Sequence, residues 1–231
     1  MLPGYHYSYL VGVFIFWIAW VVCSILGKNY RSEIRWGTLI AAPLALTSLL
    51  FVPEYWTPPS LFNLDQKIRV GVEDFLWAAA VGGIASVAGE IFLRESLAGI
   101  RKSRHKRHYA PFALVVLVFV LLRFVLHGKT MNATIIGFTV GALVLGYLRQ
   151  DLVPLMFTSA VSFTLLYFLL FLSVLFLYPE FVMRYYNLPN LIGIKLLGVP
   201  IEELLFAATG GAIWSVAYEY VYGYRLEAGS I

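Results

Sequence analysis

The chain has 231 residues, of which 60% are hydrophobic and only 13% charged, with a formal net charge of +4, and its mean hydropathy is +0.79. A soluble domain carries about 25% charged residues, and a core of this size cannot hide so much apolar surface from water. The composition excludes a soluble globular enzyme and points to an integral membrane protein. The single cysteine, Cys23, excludes a disulfide, zinc-finger or iron–sulfur framework, and no metal site is expected.

Seven apolar segments follow one another at about 7–26, 37–53, 72–93, 111–127, 132–148, 153–178 and 200–222, each near the ~17–25 residues that span a bilayer as a helix. Their runs are continuous rather than alternating, which favours helices over a barrel. The first lacks a basic flank and a small-residue cleavage site, so it reads as a retained helix. Basic residues gather after segment one (Lys28, Arg31, Arg35), after segment three (Arg94, Arg101, Lys102, Arg104, Lys106, Arg107), after segment five (Arg149) and after segment seven (Arg225). Fewer lie on the other side: Lys67, Arg69, Lys129, Arg184 and Lys195. The positive-inside rule then predicts an outside N-terminus and a cytoplasmic C-terminus in the cell membrane. The 94–108 cluster, with His105 and His108, reads as a topology determinant. Lipid-headgroup or nucleic-acid binding is the alternative, and no nucleic-acid partner is expected.

The third and seventh segments carry the same pattern. With a shift of 129 residues, 73–90 and 202–219 share Glu73/Glu202, Ala78/Ala207, Ala79/Ala208, Gly82/Gly211, Ile84/Ile213, Ser86/Ser215, Val87/Val216, Ala88/Ala217 and Glu90/Glu219, and Asp74/Glu203 keeps its charge. Pro53-Glu54-Tyr55 and Pro179-Glu180-Phe181 end the preceding segments in each half. The predicted architecture is all-α and polytopic, with about seven transmembrane helices. Two parallel three-helix repeats (1–108 and 131–231) are joined by a connecting helix (109–130). Small residues such as Gly82, Gly83, Gly210 and Gly211 suit close helix packing. They make no dinucleotide fingerprint. The loops 54–71 and 180–199 are too apolar for plain linkers and are expected to cap the bundle.

Charged side chains in a membrane are costly and tend to mark function. Glu73-Asp74 and Glu202-Glu203 open their helices, so a parallel repeat places both pairs at one depth, near the outer surface. Glu90 and Glu219 lie about 25 Å further along each helix and form a second set. Crowded carboxyls beside hydrocarbon cannot all ionise cheaply, and a neutral acid beside an ionised one is an acid/base pair. Aromatic side chains on the same helices (Trp77, Phe206, Trp214, Tyr218, Tyr220) can stabilise a cation in an apolar pocket that excludes water. Acidic residues in a first turn also suit the helix dipole, so capping alone is the competing account of the two pairs. Glu90 and Glu219 are secondary candidates; they can also reach the headgroup region, and Arg94 stands one turn beyond Glu90. Arg123 and His127 are expected to snorkel.

The Pro200-x-Glu202-Glu203 opening of the last apolar helix, the downstream Tyr218-Glu219 and the duplicated three-helix plan resemble the integral-membrane, cofactor-independent lycopene cyclases. The family's acidic motif falls on Glu202 and Glu203, and its first-half counterpart on Glu73 and Asp74, where Gly71 replaces the proline. The resemblance implies an isomerase of carotenoid biosynthesis without a redox cofactor. A carboxylic acid protonates the terminal double bond of an acyclic polyene, the cation closes a six-membered ring, and a carboxylate removes a ring proton. Glu202, Glu203, Glu73 and Asp74 are then the candidate catalytic residues. Trp77, Phe206 and Trp214 are candidates for substrate contact. The substrate is a hydrophobic polyene taken from the lipid bilayer, with other carotenoid enzymes or a second copy of the chain as possible associates. A hydratase or C50 carotenoid cyclase on the same scaffold is the nearest rival. A proton-coupled transporter is a second, against which stands the expectation of no broken helix and no charge at mid-depth. A retinal protein needs a lysine in the last helix, and 200–224 has none.

Overall fold

The computed structural model describes residues 4–93 and 109–223, and those residues are almost entirely helical. The basic cluster 94–108 and Arg225 lie outside them. Helix α1 runs Ser8–Leu26 and α2 Arg31–Ala41; a 3-10 stretch Ala42–Thr47 and α3, Ser48–Phe51, continue the same rod. A short α4, Leu64–Ile68, precedes α5, Val72–Ala85, and α6, Ala88–Leu93. Then come α7, Ala110–Val120, ending in a π-turn at Leu121–Val125, α8, Thr130–Leu148, and α9, Val153–Leu177. Helix α10 spans Phe181–Tyr185, a two-residue hairpin pairs β1 (Lys195–Leu196) with β2 (Val199–Pro200), and α11 (Ile201–Trp214) and α12 (Ala217–Tyr222) close the chain.

Four helical stretches, Tyr5–Leu26, Lys28–Phe51, Thr130–Leu148 and Gln150–Leu177, are long and apolar enough to cross a membrane. Their outward faces are apolar too: Leu39, Leu143 and Phe176 are 71, 69 and 86% exposed. Such faces suit lipid, not water. Helices α5 and α11 occupy the interior. Helix α5 packs against α1 and α2, and α11 against α8 and α9. The contact of α5 with α2 depends on Gly82. A Cβ built there meets the Ala41 Cβ at 2.2 Å and the Gly37 carbonyl at 2.7 Å.

Two sequence expectations change. The α5–α6 and α11–α12 rods, read from sequence as the continuous segments 72–93 and 200–222, are each interrupted, at Ser86-Val87 and Ser215-Val216. Ser86 there donates its hydroxyl to the Gly83 carbonyl at 2.9 Å, a local bond that competes with helix continuation. Arg123 does not simply extend to the interface: it pairs with Glu54 at 2.7 Å, and Glu54 also accepts the Thr130 N–H at 2.6 Å. That fixes the start of α8 to the loop after α3.

The loops 54–71 and 180–199 join over one end of the bundle. The Thr57 N–H donates to the Tyr185 carbonyl at 2.7 Å and the Asn187 N–H to the Tyr55 carbonyl at 2.9 Å. Asn190 donates its amide to the Glu54 carbonyl at 2.7 Å. This end is called the loop end below, and the end carrying α6 and α12 the far end.

Candidate active site

Beneath the paired loops a cavity of about 550 Å³ opens between the halves, within the range of small-ligand sites. Its walls are apolar and rich in aromatic rings. Trp77, Phe206 and Trp214 all line it. Trp77 and Phe206 stack across the gap between α5 and α11, with ring centroids 6.2 Å apart and planes 25° from parallel. Tyr218 and Tyr220 do not line it; Tyr218 packs on Trp36 and Tyr220 on Phe112. Some lining residues also face outward: Leu44 before α3, and Val116, Val120 and Phe124 on α7 and its π-turn. The cavity's mouth therefore lies sideways, between those two stretches.

Among the described residues, Asp74 and Glu203 are the carboxyl groups in the lining. Both occupy the third position of their helices, buried in the first turn, where the helix dipole favours an anion. Their partners differ. Asp74 Oδ2 accepts the N–H of Gly71, the residue just before α5, at 2.8 Å, and Oδ1 accepts the Tyr9 hydroxyl at 2.8 Å. Pro200 stands in the matching place before α11 and has no N–H to give. Glu203, one methylene longer, turns instead to three tyrosines. Tyr55 and Tyr186 donate to Oε1, both at 2.9 Å, and Tyr167 donates to Oε2 at 2.6 Å.

Glu73 and Glu202 point away from the cavity. Glu73 Oε1 accepts the Leu61 N–H at 2.6 Å and Glu202 Oε1 accepts the Ile192 N–H at 2.5 Å. Each holds the loop that precedes its own helix. Of the four outer acids singled out from sequence, the structure thus brings two to the cavity and turns two into loop anchors. Glu90 and Glu219 lie together at the far end with Glu33 and reach neither outer pair.

Asp65 joins the outer set from α4. It is fully buried, and a Cβ built on Gly71 meets its Oδ2 at 2.9 Å and Glu73 Oε2 at 3.0 Å. A side chain at this position crowds both carboxyl ends, which favours glycine over proline in the first half. Burial first, then the neighbouring Asp74 carboxyl, push Asp65 up to about 8. Its protonated form is thereby favoured well above the usual carboxylate range.

Sequence reasoning missed Asp65, Tyr9, Tyr55, Tyr167 and Tyr186. Only Tyr55 carried a signal, as the last residue of the duplicated Pro-Glu-aromatic motif. The others come from segments whose facing depends on tertiary packing.

Fold and site together define a polytopic helical membrane protein with a buried, apolar cavity furnished with acid groups. Residues 128–221, somewhat under half of the chain, match the family model for lycopene cyclase, and that match supports a carotenoid cyclase-like function. The matched stretch contains Tyr167, Tyr186, Glu202, Glu203, Phe206 and Trp214, while Asp74 lies outside it. No curated protein and no solved structure matches the chain.

Proposed function

We propose that the chain is an isomerase that closes the end group of an acyclic carotenoid drawn from the bilayer, with Asp74 and Glu203 as the acid/base pair. The observation that carries this is a single aromatic cavity whose carboxyls, among the described residues, are these two, each held by tyrosine hydroxyls. Glu203 receives three O–H donors, and an ionised carboxylate is an acceptor only. It acts as the base. Asp74, refilled from protonated Asp65 on the loop side, acts as the acid.

The atoms balance without a change of oxidation state. The acid O–H breaks as a C–H bond forms at the terminal double bond, leaving a tertiary cation. The neighbouring double bond attacks it, closing the ring and moving the cation into it. Glu203 removes an adjacent proton and a ring double bond remains. The stacked rings of Trp77 and Phe206 offer π faces to the cation, and the apolar walls keep out the water that would quench it. The sideways mouth suits entry of a long polyene from lipid. An outside N-terminus and a cytoplasmic C-terminus put the loop end, with Asp65, at the outer face.

Expression in a bacterium that makes lycopene, followed by pigment chromatography, tests the reading. Cyclic carotenoids are expected. Hydroxylated acyclic products indicate a hydratase, and unchanged lycopene removes the proposal.

A further inference from the structure

Three carboxylates that the cyclisation chemistry does not use meet at the far end. Glu33 in the first turn of α2, Glu90 in α6 and Glu219 in α12 each place a carboxylate oxygen within 4.8 Å of the other two. They are 3, 1 and 0% exposed. Both oxygens of Glu90, both of Glu219 and Oε2 of Glu33 have no hydrogen-bond partner among the described residues. Buried polar atoms are rarely left so, and uncompensated buried charge is expensive. The nearby Arg149 forks onto Asp151 at 2.8 and 2.7 Å.

We propose that Glu33, Glu90 and Glu219 hold one hard divalent cation of the calcium, manganese or magnesium kind. An all-oxygen, all-carboxylate set selects such ions over zinc or copper. The spacing fits. Two oxygens on opposite sides of a calcium ion at about 2.4 Å are about 4.8 Å apart, and adjacent ones are closer. The oxygens therefore already lie within the span of one coordination sphere, and a magnesium ion draws them in slightly. Two ligands come from the first half and one from the second, with Glu90 and Glu219 at matching positions of the two similar stretches. The ion ties the halves together below the cavity. Trp36, on the same helix as Glu33, packs on Trp214 with ring centroids 6.1 Å apart. Trp214 lines the cavity and donates its N–H to the Gly82 carbonyl at 2.9 Å. The cation is thus a structural staple, remote from the reacting atoms.

The test uses the full chain purified in detergent and stripped with a chelator. Calcium, manganese and magnesium are each titrated to about 10 mM, above the dissociation constants of weak protein calcium sites, while Tm is followed by tryptophan fluorescence. Metal content is measured after gel filtration. A saturable rise of several degrees with at least one ion is expected, at about one ion per chain. Glu90→Gln and Glu219→Gln abolish the rise, whereas Glu180→Gln, an exposed control, retains it. If either cluster variant fails to fold, the wild-type titration and Glu33→Gln decide. No rise and no retained ion in the wild type overturns the proposal and leaves three carboxyls sharing protons. A rise that survives the cluster substitutions overturns it as well.

Discussion

Glu202 and Glu203 are adjacent acids in one motif, yet the structure gives them separate tasks, and paired substitutions expose the difference. In Glu203→Gln the side chain keeps its length and one acceptor oxygen, but its NH₂ cannot accept a tyrosine O–H. Tyr167, or the Tyr55 and Tyr186 pair, loses its acceptor. Losing one hydrogen bond to a charged group costs about 1.5–3 kcal/mol. For a chain near this size that lowers Tm by roughly 3–12 °C, at ~2–4 °C per kcal/mol. With Glu203 as the proposed base, the chemical loss is larger, since removing a general base costs about 10²–10⁴ in rate. In Glu202→Gln the amide oxygen still accepts the Ile192 N–H, so the loop stays anchored and activity should remain within about tenfold, a loss of roughly 1.4 kcal/mol. Both variants are made in a lycopene-producing bacterium, cyclic pigment is quantified by chromatography, and yield is normalised to membrane-inserted protein. A Glu203→Gln enzyme that cyclises like the wild type, or a Glu202→Gln enzyme that is the less active of the two, refutes the assignment.

Three further outcomes are expected. Asp65 is raised to about 8 when folded, against about 3.9 in an unfolded chain. The folded state therefore binds the proton more tightly, and this stabilisation is full below about pH 4 and lost as pH climbs to about 8. Cyclisation in vesicles should fall above that pH, and Asp65→Asn should flatten the stability slope between the two values. Gly71→Pro removes the N–H that holds Asp74 and crowds Asp65 and Glu73. It should reduce cyclic pigment more than Gly71→Ala does, and equal pigment from the two sinks the role given to that bond. Gly82→Ala forces α2 and α5 apart, at about 1–3 kcal/mol for overpacking, and should lower Tm with little effect on product ratio.

The helices were legible because bilayer burial imposes long apolar runs whose ends are punctuated by charge. The interior pair, α5 and α11, stood out for the same reason: lipid-facing helices have no use for Glu73-Asp74 or Glu202-Glu203. Which acid of each pair faces the cavity was not legible. Neighbours in a helix differ by about 100° in facing, and here that difference separates a loop anchor from a cavity wall. The tyrosines were hidden among many aromatic residues that read equally well as an interfacial belt. Glu33 was hidden because the apolar pattern starts at about residue 37, while the helix itself begins at Arg31. No periodicity in the sequence brings that residue to Glu90 and Glu219; packing of α2 against α5 does.

The two halves are alike in pattern, but their chemistry is unequal, and one backbone difference is enough to produce this. Gly71 offers an N–H, so the short Asp74 side chain folds back on its own helix start and lies against Asp65, a group whose protonated form burial favours. Pro200 offers none, so the longer Glu203 extends to hydroxyls from the loop after α3, from α9 and from the strand-like residue after α10. On the proposed roles, one carboxyl draws its proton from Asp65 and the other sits among three hydroxyl donors that suit an anion. An enzyme that must deliver a proton at one carbon and collect it at another needs that inequality. Two identical acid sites facing one cavity would compete for the same role. Exchanging the pair, Asp74→Glu with Glu203→Asp, should therefore not conserve function. The shortened side chain at position 203 withdraws from its tyrosines, and the lengthened one at position 74 collides near Gly71. Loss of cyclic pigment is expected while the exchanged chain still inserts. Full activity in the exchanged enzyme would mean that the two carboxyls are interchangeable, and the division of labour proposed for them would fall.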